Sequence, residues 1–266
     1  MAGIAVETEG AIATLTIENS GKRNSLTAKM WHRLPEALSE LASDPGVKVL
    51  VVVRGAGADF SSGADIRDLA RILHAPGMPD GGLVTVAENA LAEFPKPTVA
   101  AIDGFCVGGG WQLAAACDVR IASDRATFGI TPARIGIIYP LSGIQRLVSI
   151  VGPATAKYLL FSGELISSGQ AVSLGMLSQV HPAPGLWAAV DSFAGMLASR
   201  SQLSIQAMKQ LVHAFAAGED AAAIGDAWQG EAAASDDAEI GAAAFLAHET
   251  PSFSWTGSGF VRRPVV

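Results

Sequence analysis

The sequence predicts an α/β fold that passes into a helical C-terminal part. Three observations carry this expectation. Short β-branched runs, apolar almost throughout, alternate with helix-period stretches over the first half of the chain. From Ser142 onward the pattern is helical nearly everywhere. Near residue 200 the composition turns alanine-rich, with long amphipathic stretches and no linker-like segment. The expected organisation is therefore a core over 1–200 and a helical part over 201–266.

Ile4–Glu7 and Ile12–Ile17 read as two strands turned at Glu9–Gly10. Gly21–Leu26 is a polar loop, and Thr27 caps a helix to about Ala42 with Met30, Leu34, Leu38 and Leu41 on one face. Asp44–Pro45–Gly46 is a turn before Val47–Val53, a strand apolar enough to be buried on both faces. Gly55–Gly63 is a loop and Asp65–Leu73 a short helix. Residues 74–82 hold three glycines and two prolines and read as a mobile stretch. A helix over Leu83–Glu93 ends at Pro95–Lys96–Pro97, and Thr98–Ile102 and Val119–Ala122 are further strands. Helices are expected over 142–150, 153–161, 168–173, 186–199, 204–217 and 236–247. No short-period repeat is present.

Composition narrows the function classes. Half of the 266 residues are hydrophobic and 16% are charged, where about a quarter is usual. Such a sparsely charged surface points to burial against other subunits. A net charge of −7 without a basic run argues against nucleic acid. The two cysteines, Cys106 and Cys117, lie in apolar surroundings and read as reduced core thiols. Residues 1–10 carry no cleavable apolar stretch, and no apolar run reaches the ~18–20 residues of a membrane span. A cytoplasmic protein without membrane contact is expected. His32, His74, His181, His213 and His248 have no ligand spacing, so no metal site is expected. G-x-G-x-x-G, the P-loop and G-x-S-x-G are all absent.

What remains is two loops of one design. Phe60-Ser61-Ser62-Gly63-Ala64-Asp65-Ile66 and Val107-Gly108-Gly109-Gly110-Trp111 each follow a buried strand and lead into a helix. A helix start offers unpaired N–H groups and partial positive charge. If Ala64 and Gly109 aim their N–H groups at one point, the pair forms an oxyanion hole. Three adjacent glycines serve tight helix–strand packing equally well.

These motifs, with G-K-R-N-S-L-T, D-G-F-C-V-G-G-G-W-Q-L-A-A-A-C-D-V-R-I-A, F-G-I-T-P-A-R-I-G and T-A-K-Y-L-L-F-S-G, resemble the crotonase (enoyl-CoA hydratase/isomerase) superfamily over nearly the whole chain. The resemblance implies a spiral of ββα units with a helical C-terminal extension used in trimerisation, as a homotrimer or a dimer of trimers. It implies an acyl-CoA thioester substrate, no permanently bound cofactor, and a thioester oxygen held by the N–H groups of Ala64 and Gly109. The coenzyme A moiety is expected past Lys22, Arg23 and Ser25 and along Ser61, Ser62, Gly63, Asp65 and Ile66.

Hydratases of the family carry two glutamates, and the corresponding positions here are Gln112 and the Thr131–Pro132 pair. No Asp or Glu occurs between Asp124 and Glu164. An amide orients water but takes no proton at neutral pH. The T-P…G-x-x-Y pattern over Thr131–Tyr139 is instead similar to the methylmalonyl-CoA decarboxylase branch, whose tyrosine meets the substrate carboxylate. Loss of CO₂ generates an enolate without a base, so a lyase acting on a malonyl-type ester, with Tyr139 as donor, is the best-motivated reaction. That branch has a histidine where this chain has Ala64. Tyr139 as a core residue, hydration by an unconventional acid–base, and a non-catalytic CoA-ester-binding protein are the alternatives. Asp65 is expected to cap its helix, Arg134 to pair or face solvent, and Trp111 to pack. Asp68, Glu88 and Glu93 are the nearest carboxylates in sequence that could stand in for the missing glutamates, and each is expected as a solvated helix residue. Phe253, Trp255 and Phe260 form an aromatic tail suited to a subunit contact or to the adenine.

Overall fold

The computed structural model describes residues 2–54, 59–78 and 80–257. Strands β1 (Gly3–Glu9) and β2 (Ile12–Glu18) form an antiparallel hairpin, closed by Gly10 in the left-handed region at φ 57°. Helix α1 (Ala28–Ser43) starts at Thr27, whose hydroxyl accepts from the Met30 N–H. Strand β3 (Val49–Arg54) follows. The expected helix over Asp65–Leu73 is two pieces, a 3₁₀ turn over Ile66–Asp68 and α2 (Leu69–Leu73), with Asp65 capping through the Arg67 N–H. Part of the loop expected over Gly55–Gly63, and Pro79 of the glycine-rich stretch, lie outside the described residues.

Helix α3 (Gly82–Ala92) leads through the proline break to β4 (Thr98–Ile102), β5 (Phe105–Val107) and α4 (Gly109–Ala116). Then come β6 (Val119–Ser123), β7 (Thr127–Gly129), α5 (Pro132–Ile135) and α6 (Leu141–Ser162). The two helices expected over 142–161 are the two halves of α6, broken at Gly152 with φ 75° just before Pro153. The remainder is β8 (Leu165–Ser167), α7 (Ser168–Ser173), β9 (Gln179–His181), α8 (Leu186–Ala198), α9 (Gln202–Ala216), α10 (Ala222–Ala233) and α11 (Asp237–Ala247). Helix α10 and strands β5, β7, β8 and β9 are absent from the sequence expectation.

A six-stranded sheet runs β1-β2-β3-β4-β6-β9, parallel from β2 onward. A smaller sheet runs β5-β7-β8. The central strands are buried on both faces, as their unbroken apolar runs require. Leu50, Val52, Ala100 and Ile102 enter the main core with α1, α3 and α4. Val49, Val51, Val99 and Ala101 pack beneath α8. A separate cluster joins α9 and α10 through Ala214, Ile224 and Trp228. Trp255 lies against Trp228 and donates to Glu231, so this part of the aromatic tail covers the chain's own helix; Phe253 reaches Gly241 of α11, and Phe260 lies outside the described residues. No helix among the described residues is long and apolar enough to cross a membrane.

Candidate active site

The two expected loops meet. Segment 22–26 is laced to segment 59–65 by main-chain bonds from Ser62 N to Arg23 O, Leu26 N to Gly63 O and Asp65 N to Leu26 O. The last two form a parallel bridge that uses the residues on either side of Ala64. In such a bridge the middle residue turns its own N–H away from the partner strand. The Ala64 N–H is thereby left without an acceptor among the described residues.

The second loop is held by another bridge, with Ser61 N bonded to Phe105 O and Val107 N to Ser61 O. Gly108 donates to Gly129 O and carries φ 55° with ψ −118°, which suits glycine. Gly109 then opens α4 with an N–H that has no acceptor among the described residues, as the first residue of a helix does. A Cβ on Gly63 would lie 2.9 Å from Gly109 N, and a Cβ on Gly109 would lie 3.4 Å from Ala64 N. The two unengaged donors therefore sit side by side. The glycines also serve packing: a Cβ on Gly110 would lie 2.5 Å from Ser61 O, and one on Gly109 would lie 2.9 Å from Trp31 Cζ2.

The residues expected along the coenzyme surround the first loop. Lys22 Nζ holds Asp65 Oδ2 at 2.7 Å, and this ammonium, with the Arg67 N–H, keeps the Asp65 carboxyl below the usual aspartate range. Arg23, at φ 49°, sets its guanidinium 4.7 Å from the Phe105 ring centre. Ser25 is buried beside Asn19, and Ser61 spends its hydroxyl inside the fold on Asn24 O while accepting from Gly63 N. The Ser62 side chain faces the Lys22 carbonyl, and Ile66 stands 64% exposed at the rim.

Gln112 is a buried residue of α4, and Tyr139 lies against the start of that helix. Tyr139 is buried, and its hydroxyl donates to Gly108 O at 3.3 Å, directly before Gly109. Burial, and then the negative charge of Glu88, push its ionisation well up, so it stays a phenol. Gln112 Nε2 donates to Glu88 Oε2 at 2.8 Å, and Arg146 donates to Glu88 Oε1 at 2.8 Å. Glu88 is 0% exposed, which overturns its expected place on a solvated helix face. Burial pushes its carboxyl up against the opposing pull of Arg146, Ser142 and Gln112. One signal was available in the sequence: Glu88 stands four residues after Val84 and three before Leu91, on the apolar stripe of α3. Glu93 is exposed, as expected, whereas Asp68 is half-buried and accepts from the Ala28 N–H at the start of α1. Arg134 faces solvent, and Trp111 packs edge-on to Phe128 at 6.1 Å.

The chain matches the Enoyl-CoA hydratase/isomerase family over residues 7–257. It is 33% identical to a probable enoyl-CoA hydratase of Bacillus subtilis over 260 residues, covering 95% of this chain and 99% of that protein. It is 32% identical to the 2,3-dehydroadipyl-CoA hydratase of Escherichia coli, with 95% and 99% covered. A crystal structure of an enoyl-CoA hydratase/isomerase family member superposes with a TM-score of 0.90 at 39% identity, covering 96% and 97% of the two chains. A second, an enoyl-CoA hydratase/carnithine racemase from Magnetospirillum magneticum, gives 0.87 at 26% identity, with 96% of each chain covered. With a family match across nearly its whole length and a crotonase fold to go with it, the chain belongs to the enoyl-CoA hydratase/isomerase family, whose members act on CoA thioesters.

Proposed function

We propose that this protein is an acyl-CoA enzyme that stabilises a thioester enolate between the Ala64 and Gly109 N–H groups. The observation that carries this is the pair of adjacent main-chain donors, each without an acceptor among the described residues, held by two bridges. Donors fixed before the reaction lower the barrier because they need no reorganisation when charge develops on oxygen. The coenzyme moiety runs past Lys22, Arg23 and Ser25 and along Ser61–Ile66, on a site complete without a resident cofactor. Assembly as a homotrimer, or as two trimers, and a cytoplasmic setting belong to the same proposal.

Decarboxylation of a malonyl-type ester is the reaction that this side-chain set runs without a base. The C–C bond breaks, its electron pair enters the enolate, and the oxyanion hole carries the charge. Tyr139, a buried phenol beside the hole, turns its hydroxyl from Gly108 O to the departing carboxylate. Hydration is the second reaction considered, and the buried Glu88 carboxylate against Gln112 favours it. The relatives named hydratases point the same way.

The test is turnover of malonyl-, methylmalonyl- and crotonyl-CoA by the parent and by Ala64→Pro. Ala64 already carries a Cβ and its N–H has no acceptor among the described residues, so proline deletes that donor without breaking a main-chain hydrogen bond seen there. A kcat loss of roughly 10²–10³-fold is expected. Unchanged turnover in a folded variant removes Ala64 from the mechanism. Which ester the parent consumes decides between the two reactions.

A further inference from the structure

We propose that Glu88 is a positioning residue: it fixes which end of the Gln112 amide faces the acyl group, so that this position accepts a hydrogen bond from a hydroxyl or a water near Cβ. The inference rests on the acyl-CoA reading above and adds to it a polarity requirement on the substrate.

Arg146 can only donate, and it holds Glu88 Oε1 at 2.8 Å in a fully buried place. The carboxylate so paired can only accept. Gln112 must therefore offer Nε2, as it does at 2.8 Å from Oε2. The amide orientation follows from this chemistry rather than from the similar shapes of its two ends. Its other end, Oε1, has no donor among the described residues. The fully buried side-chain atoms left without a partner there are Trp31 Nε1, Gln202 Oε1 and Gln206 Oε1. Gln112 Oε1 is not one of them, so a small part of its surface stays accessible in a residue that is 4% exposed.

On the acyl-CoA reading above, that surface faces the acyl group. Gln112 lies three residues beyond Gly109 in α4, so the two share one helix face. An acyl chain whose carbonyl is held at Gly109 passes the Gln112 side chain. On the other flank, a Cβ on Gly143 would lie 2.8 Å from Gln112 Nε2 and 2.9 Å from Tyr139 Cε1, so the glycine leaves the amide undisturbed. A water on Oε1 serves both reactions. In a hydration its oxygen bonds to Cβ, the C=C electron pair passes into the thioester enolate at the oxyanion hole, and the proton the water loses ends on Cα. After a decarboxylation it gives a proton to Cα of the enolate, and the hydroxide leaves with CO₂ as bicarbonate.

Glu88→Gln reverses the polarity without changing shape. The introduced amide keeps its oxygen on Arg146 and turns its NH₂ toward Gln112, which must then present its own NH₂ to the acyl group. The probes are 3-hydroxybutyryl-CoA (each enantiomer), acetoacetyl-CoA and butyryl-CoA, with binding measured by calorimetry. The first two differ at Cβ as hydroxyl donor and carbonyl acceptor, and butyryl-CoA has neither. The parent should bind one hydroxyl ester about tenfold tighter than the ketone, and Glu88→Gln should invert that order while leaving butyryl-CoA unchanged. An unchanged order in the folded variant overturns the proposal. If Glu88→Gln does not fold, Gln112→Leu decides: preference should fall to about unity, and its persistence overturns the proposal. Failure of butyryl-CoA to bind the parent sinks the acyl-CoA reading itself, and this proposal with it.

Discussion

Tyr139 is where one oxygen atom separates packing from chemistry. Its ring is buried against Gly143, and its hydroxyl bond to Gly108 O is long at 3.3 Å. Tyr139→Phe keeps the ring, so stability should fall by less than about 1 kcal/mol. If the hydroxyl meets the departing carboxylate in the transition state, kcat on the malonyl-type ester should fall by ~10²-fold or more with KM little changed. Paired thermal melts and steady-state kinetics read the two effects separately. Equal kcat in parent and variant would leave the tyrosine as core alone. At this scale the sequence was legible where one residue type has one use. Gly108, Gly109 and Gly110 pointed to close backbone approach, and the distances at Gly109 and Gly110 agree. The apolar stripe of α3 signalled burial at Glu88, but the partner that makes a buried acid tenable there, Arg146, stands 58 residues further along the chain and was not legible.

Among the elements, the start of α4 and the loop at 59–65 hold each other in place. Gly110→Ala drives a methyl group into Ser61 O, a main-chain atom with no free direction to yield. A loss of about 1–3 kcal/mol is expected from urea unfolding. The clasp between Lys22 and Asp65 adds a pH dependence. Because the folded carboxyl sits below its unfolded value, its contribution is present above about pH 4 and disappears as pH falls through the folded value. Lys22→Met should therefore show a smaller loss of Tm on acidification from pH 5 to pH 3 than the parent does. Identical slopes would mean that the clasp contributes nothing in solution. Strands β3 and β4 were readable because several consecutive β-branched or small apolar residues leave few alternatives. Strands β5, β7, β8 and β9 have three residues each, too few for any periodicity to show. Helix α10, rich in alanine and interrupted by two glycines, offers almost no apolar stripe; its helicity rests on packing Ile224 and Trp228 against α9.

The molecule as a whole presents more apolar surface than one chain needs. Met208, Val212 and Phe215 stand exposed along α9, Phe245 and Leu246 at the end of α11, and Tyr158 and Phe161 near the end of α6. Patches of this kind mark contact surfaces. Sedimentation of the parent should give a trimer or a pair of trimers, and Phe215→Glu should shift the distribution toward smaller species. A parent that sediments as a monomer at micromolar concentration would refute the proposed assembly. Both donors of the proposed hole nevertheless come from one chain and from its main chain, suspended between bridges at Leu26 and Cys106. An alanine scan therefore passes over the first of them, since position 64 is alanine already. At position 109 the scan reports the collision with Trp31 rather than the loss of a donor. In a saturation map of this gene, the chemistry at position 64 should surface as one column entry, proline, depleted under selection for activity and spared under selection for folding alone.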